Sequence, residues 1–158
     1  MLIEQIKNVR IRRLYENENI PYDLLLLADP SRELTDKYLT TSEIYVAVLN
    51  KNIIGTYVLY PVNSEIIEIK NISVDDEYQG KGLGKLMLKD AFKNAKKKCF
   101  KTIITGTGNS SVGQLYLYQK AGLEIDEIKK DFFIGNYPEA ICENGILVKH
   151  MIVLKRQL

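Results

Sequence analysis

Between Glu65 and Lys98 the chain changes its periodicity. An apolar run at strand spacing gives way to Gly80-Lys81-Gly82-Leu83-Gly84-Lys85, and that loop to Leu83, Leu86, Met87, Ala91, Phe92 and Ala95 at helical spacing. No other feature constrains the fold as much, because a strand that passes through glycines into a helix sets the helix N-terminus at the end of a sheet. The first four N–H groups of a helix lack intrahelical partners, and the helix dipole places about half a positive charge there. Gly80, Gly82 and Gly84 let backbone and anion approach without an intervening Cβ, while Lys81 and Lys85 add positive charge. The loop therefore reads as an anion-binding turn. Gly84 falls inside the first helical turn, where glycine costs about 1 kcal/mol relative to alanine, which favours a ligand over a simple turn as its reason.

Two common phosphate loops do not fit. A P-loop requires Gly-x-x-x-x-Gly-Lys-Ser/Thr, yet Leu86 follows Lys85. A dinucleotide fingerprint counted from Gly80 requires glycine at position 85, which is Lys85. In the strand before the loop, Ile67 and Ile69 are spaced by two, as are Ile72 and Val74, with a gap of three between the pairs. One extra residue near Lys70-Asn71 must be absorbed, which predicts a β-bulge. Ile66 is apolar in the other register. After the helix, Lys101 to Thr107 reads as a strand centred on Thr102 to Thr105. Strand, helix and strand in this order imply a crossover and a parallel pair.

The remaining elements are read from pattern. Met1 to Arg13 is expected as a first strand with Ile3 and Val9 inward. Helices are expected from Pro21 to Ala28 and from Ser31 to Leu39. Glu43 to Leu49 and Ile53 to Tyr60 flank a hairpin turn at Asn50-Lys51-Asn52. Gly106 to Ser111 reads as a loop in which Asn109, Ser110 or Ser111 caps a helix ending at Ala121-Gly122. Two last strands, Leu123 to Ile134 and Ile146 to Leu154, are joined by a polar loop from Gly135 to Gly145. No linker or repeat appears, so one domain spanning residues 1–158 is expected.

Composition excludes several classes. With 46% hydrophobic and 27% charged residues the chain is globular rather than disordered. A net charge of +2 gives no broad basic footprint for nucleic acid. Lys93, Lys96, Lys97 and Lys98 cluster where a helix C-terminus favours cations, and read as a solvated face. The longest apolar run, Leu24 to Ala28, is far too short to span a bilayer, and no signal segment is seen, so no membrane partner is expected. Cys99 and Cys142 lack metal or redox spacing and His150 is the single histidine, which leaves no metal site. A cytoplasmic protein is expected.

Gln79-x-x-Gly82-x-Gly84 resembles the coenzyme A pyrophosphate loop, Q/R-x-x-G-x-G/A, of the GNAT N-acetyltransferase superfamily. The resemblance extends through Ile69 to Val74 before the loop and Leu115 to Leu123 after it. It implies an α/β (α+β) fold with a mixed, mostly antiparallel central sheet, flanked by helices and splayed at one parallel strand pair. It further implies that acetyl-CoA is held by Ile72, Ser73, Val74, Gln79, Gly80, Lys81, Gly82, Leu83, Gly84 and Lys85. A backbone N–H of Ile72 or Ser73 would meet the developing oxyanion. Asn109 would contact the coenzyme, although it stands two residues earlier than the family's spacing places that asparagine. Tyr118, within Leu117-Tyr118-Gln119-Lys120-Ala121-Gly122-Leu123, matches the tyrosine placed near the coenzyme sulfur as general acid, and Tyr116 is not equivalent. Glu68 resembles a strand glutamate that acts as base, usually through water, with Glu65 a weaker alternative.

The activity implied is direct attack by an amine on acetyl-CoA within a ternary complex, without a metal. The acceptor could be a small amine, a polyamine, an antibiotic or a protein, and residues 20–39 would shape its site. A homodimer is compatible with the resemblance. A non-catalytic acyl-CoA sensor of the same fold is the alternative, and turnover separates the two.

Overall fold

The computed structural model describes residues 2–158, with side chains from Glu4 onward. In chain order the elements are α1 (Leu2–Ile6), β1 (Arg10–Arg13), α2 (Tyr22–Ala28), α3 (Arg32–Leu39), β2 (Glu43–Leu49), β3 (Asn52–Pro61) and β4 (Ile66–Val74). A single 3-10 turn (Asp76–Tyr78) leads to α4 (Leu83–Lys97), β5 (Thr102–Gly108), α5 (Val112–Lys120), β6 (Glu124–Lys129) and α6 (Phe132–Asn136). The chain ends in β7 (Cys142–Glu143), β8 (Ile146–Leu147) and β9 (Met151–Gln157).

Seven strands form one sheet in the order β1-β2-β3-β4-β5-β9-β6. Only the β4–β5 pair is parallel; the other neighbours run antiparallel. The β2–β3 hairpin closes at Asn50-Lys51, whose φ angles of 48° and 69° are those of a mirror-image turn matched to strand twist. Adjacent strand residues face opposite sides of a sheet, so Tyr57 and Val58 mark the two layers. On the Tyr57 side, α4 buries Leu83, Met87, Leu88 and Ala91 against Ile67, Ile69 and Ile103. On the Val58 side, Leu25 of α2 and Tyr38 of α3 complete a smaller cluster. The Tyr57 hydroxyl donates to Asp90 Oδ2 at 2.6 Å and accepts from Asn94 Nδ2 at 2.8 Å, tying α4 to β3.

Several expectations are corrected. Leu2–Ile6 is a helix and only Arg10–Arg13 pairs in the sheet, because alternation over so few residues does not separate a short helix from a strand. Val9 and Ile11 pack on the core, whereas Met1 and the Ile3 side chain lie outside what is described. The strand read to Ile134 stops at Lys129. There Asp131 takes φ 58°, its N–H donates to His150 Nδ1 at 2.9 Å, and Phe132–Asn136 turns into helix. The strand read from Ile146 to Leu154 is broken in two. Asn109 Oδ1 accepts from the N–H groups of both Lys149 and His150, at 2.8 and 3.0 Å, which draws 148–150 out of pairing. β8 therefore pairs with β7, inside the stretch expected to be loop, and β9 begins at Met151.

At Gly106 and Thr107 the strand and loop readings overlap; the strand prevails and runs one residue further, so that Gly106 to Gly108 pair with Met151 to Val153. A Cβ on Gly106 would lie 2.6 Å from Met151 Sδ, and one on Gly108 2.7 Å from Val148 Cγ1. Neighbouring side chains, not an anion, account for these glycines. Asn109 adds a third bond, from Nδ2 to Leu147 O at 3.2 Å, and so staples the end of β5 to the 147–150 segment. At about 0.5–1.5 kcal/mol per hydrogen bond, Asn109→Ala should destabilise the chain by about 2–3 kcal/mol. The urea midpoint measures this, with an unchanged denaturant slope expected.

Candidate functional site

The register of β4 against β3 explains how the centre of the sheet opens. Val58 faces Asn71 and Leu59 faces Ile69, so Lys70 is the extra residue of a bulge at the place the apolar spacing indicated. Parallel pairing of β4 with β5 runs from Ile66 opposite Thr102 to Ile69 opposite Thr105, then ceases. β4 continues to Val74 and β5 to Gly108, leaving a cleft between two strands that have parted. Along an antiparallel pair, backbone groups alternate between the partner and the far side. The Asp75 N–H donates to Ile54 O at 2.9 Å, so by alternation Ser73 and Asn71 also face β3. Ile72 and Val74 then present their N–H and C=O groups to the cleft. Of the two residues expected to offer a free N–H, Ile72 is the one so placed; the Ser73 N–H points to β3, although Ser73 also lines the cleft.

At one end of the cleft lies the N-terminus of α4. Gly80 and Gly82 have φ of 72° and 90°, the left-handed region that glycine enters without strain. A Cβ on either would meet no atom within 4 Å, so the space beside the turn is open. Leu86 is the first residue whose N–H bonds back, to Gly82 O at 3.1 Å, which leaves the N–H groups of 83–85 without intrahelical partners. Gly84 has a second reason to be glycine: its Cβ would lie 3.1 Å from Leu117 Cδ2 of α5. Gln79 Nε2 donates to Val74 O and to Asp76 Oδ1, both at 3.0 Å, pinning the loop to the end of β4. The Lys81 ammonium turns back to the Glu77 carbonyl and lies over the Tyr78 ring. Tyr78, Gln79, Gly80, Gly82, Leu83 and Gly84 border a cavity of about 430 Å³, shared with Ile72, Ser73, Val74, Lys85 and Gln114, whereas Lys81 is not among its lining residues.

That cavity adjoins a smaller one, of about 210 Å³, at Ile72 and Gln114. The smaller cavity fills the parted strands and is lined by Asn71, Thr105, Thr107 and Tyr118. Tyr118 projects from α5 and is 4% exposed. Burial pushes its phenol up to about 12, the neighbouring Thr105 side chain acting in the opposite sense. It is thus a protonated donor at neutral pH. Tyr116, two residues earlier, is 66% exposed and faces solvent.

A third cavity, of about 480 Å³, meets the second at Ile69, Lys70, Gly106 and Tyr137. Its wall is aromatic, with Tyr38, Tyr60, Phe132 and Tyr137, and Glu68 lies on it. The Glu68 side chain is 15% exposed and pairs with Lys70 Nζ at 3.1 Å. Tyr137 closes the wall by donating to Asp29 Oδ1 at 2.9 Å, and burial beside that carboxylate raises its phenol well above its ordinary value. Tyr118 and Glu68 therefore border neighbouring cavities rather than one.

Asn109 borders none of the three cavities, its amide being spent on backbone groups at 147, 149 and 150. Ser111 stands at the N-cap position of α5, but its hydroxyl donates to Glu143 instead of capping. Tyr38, Tyr60, Lys70 and Tyr137 were not singled out from sequence; they come from separate elements and share no local pattern. Lys70 alone left a trace, as the residue at the break in apolar spacing. Cys99 and Cys142 are both exposed and unpaired. Among the described residues no helix is long and apolar enough to cross a membrane, and no group of His, Cys, Asp and Glu could hold a metal ion.

Residues 5–123 match the model of the Acetyltransferase (GNAT) family. The chain is 45% identical over 149 residues to an uncharacterized N-acetyltransferase, YvbK, of Bacillus subtilis (strain 168), covering 94% of this chain and 96% of that protein. Among solved structures it is similar to a GNAT family acetyltransferase from Elizabethkingia anophelis with acetyl-CoA bound. Identity is 54%, coverage 96% of this chain and 99% of that one, and the TM-score 0.94. It is also similar to a Bacillus subtilis acetyltransferase in complex with CoA, at 45% identity, 95% and 99% coverage and a TM-score of 0.89.

Proposed function

Because the chain belongs to the Acetyltransferase (GNAT) family, we propose that it transfers the acetyl group of acetyl-CoA to an amine held in the Glu68 cavity, by direct attack in a ternary complex. The observation that carries this reading is the series of three adjoining cavities. One begins at an open helix N-terminus, the next fills the parted strands beside Tyr118, and the last is aromatic and carboxylate-bearing. An extended ligand with a pyrophosphate at one end and a thioester at the other fits such a series.

The roles follow from chemistry. N–H groups of 83–85, with the turn at Gly80 and Gly82, receive the pyrophosphate, as helix N-termini do. The Ile72 N–H, directed into the cleft, donates to the thioester oxygen as it gains charge. A lysine-like amine has a pKa of about 10.4 and must lose a proton before it can attack. Glu68 receives that proton through water, since it borders the acceptor cavity and not the cleft. Tyr118 donates to the sulfur as the C–S bond breaks. The exposed thiols of Cys99 and Cys142 favour a reducing compartment, the cytoplasm.

Thiol release from acetyl-CoA across a panel of primary amines tests the reading. Amine-dependent release is expected; tight acetyl-CoA binding without turnover on any amine would leave a sensor in its place. Glu68→Gln should lower turnover by about 10²-fold at pH 7, where little of the amine is neutral. The loss should shrink as pH approaches the amine's own pKa, because the proton is by then already gone. A pH-independent deficit, or none, would remove Glu68 from the reaction.

A further inference from the structure

We infer that Lys70 is a site of self-acetylation, its ammonium being positioned to act as an internal acceptor when no other amine fills the cavity. The inference rests on the acetyl-CoA reading above and adds a modification site to it. Lys70 is the bulge residue, set where β4 leaves β5. It borders both the cleft cavity with Tyr118 and the acceptor cavity with Glu68. Its Nζ lies 3.1 Å from Glu68 Oε2, 5.3 Å from the centre of the Tyr60 ring and 5.9 Å from that of Tyr38. A carboxylate and two aromatic faces are what an incoming alkylammonium would seek, and the chain's own lysine already holds that place. Lys37, on the same cavity, pairs instead with Glu33 at 3.3 Å, and its side chain is 68% exposed.

Reach and proton balance are both met. Ile72 lies two residue steps from Lys70, about 6–7 Å along the strand, within the sweep of a flexible four-carbon side chain. Nζ gives a proton to Glu68, and its lone pair forms an N–C bond at the thioester carbon. The C–S bond breaks as the nitrogen gives its second proton to water, and the sulfur, hydrogen-bonded by the Tyr118 hydroxyl as it leaves, takes a proton from water. The products are acetyl-lysine, free coenzyme A and one released proton. Acetylation removes the charge paired with Glu68.

The test is incubation of the purified chain with acetyl-CoA and no added amine, followed by intact mass and peptide mapping. Lys70 should gain one acetyl group at least about 10²-fold faster than the exposed Lys97 or Lys130, since a held amine reacts at high effective concentration. Lys70→Arg, which keeps the charge but cannot be acylated under these conditions, should abolish the fast phase. Tyr118→Phe should slow Lys70 and leave Lys97 unchanged. Lys70 modified no faster than Lys97, in a sample that binds acetyl-CoA by calorimetry and acetylates an added amine, would overturn self-acetylation alone. Absence of calorimetric binding would overturn both this inference and the reading beneath it.

Discussion

Gly82→Val is expected to weaken acetyl-CoA binding by orders of magnitude while the chain stays folded. Gly82 is the N-cap of α4 with φ 90°, and its missing Cβ faces open space. A β-branched residue does not hold that φ, so the turn opens and the N–H groups beside it no longer converge. The left-handed conformation costs an L-residue about 1–2 kcal/mol, well below the 5–15 kcal/mol stability of ordinary domains. Hydrogen bonds to a charged group contribute about 1.5–3 kcal/mol each. Losing two of them weakens binding by about 10²–10⁴-fold. Calorimetry with acetyl-CoA measures the loss, and circular dichroism shows that the fold remains. Gly84 is the poorer probe, because its Cβ would lie 3.1 Å from Leu117 Cδ2 and make that side chain yield, so a loss of binding would not report the turn alone.

The second large effect belongs to Tyr118→Phe, expected to lower turnover by about 10²-fold with little change in acetyl-CoA affinity. The ring stays and keeps most of its packing; only the donor is lost. With its phenol at about 12, Tyr118 is protonated across the whole working range. A thiolate near 8.5 is a much weaker base than the phenolate, so complete transfer of the proton is uphill by about 5 kcal/mol. The hydroxyl therefore assists as a hydrogen-bond donor while sulfur departs, which places the effect at the lower end of general-acid assistance. Tyr116→Phe, on the solvent face, is the control and should match the parent. Equal rates for Tyr118→Phe and the parent, where chemistry limits, would leave Tyr118 as packing alone.

What the sequence disclosed was local. The strand, loop and helix from β4 to α4 could be read because glycine placement and a change of period both lie within about thirty consecutive residues, and such signals need no distant partner. The bulge at Lys70 was visible for the same reason: a three-residue gap between Ile69 and Ile72 has one physical remedy. The C-terminal third resisted because its breaks are set from far away. Asn109 captures two N–H groups some forty residues on, and His150 captures that of Asp131. Read without those partners, 123–134 and 146–154 look like plain strands. Gly84 shows a subtler limit, since both an anion and Leu117 explain it, and only the packing reveals the second. The cavity beside Glu68 was the least legible part. Tyr38, Tyr60, Glu68, Lys70 and Tyr137 come from α3, β3, β4 and the turn after α6, and no window of sequence holds them together.

The central claim is that coenzyme A lies with its pyrophosphate on the open start of α4 and its thioester against Ile72. Titration of the ¹⁵N-labelled chain, first with coenzyme A and then with acetyl-CoA, tests it on the unaltered protein. The account predicts that coenzyme A moves the amide signals of Gly80, Gly82, Leu83, Gly84 and Lys85 most. It also predicts that the acetyl group adds a change at Ile72, with none at Ser73 of comparable size. Shifts centred on Gly106 to Asn109, with the signals of 80–85 unmoved, would contradict it.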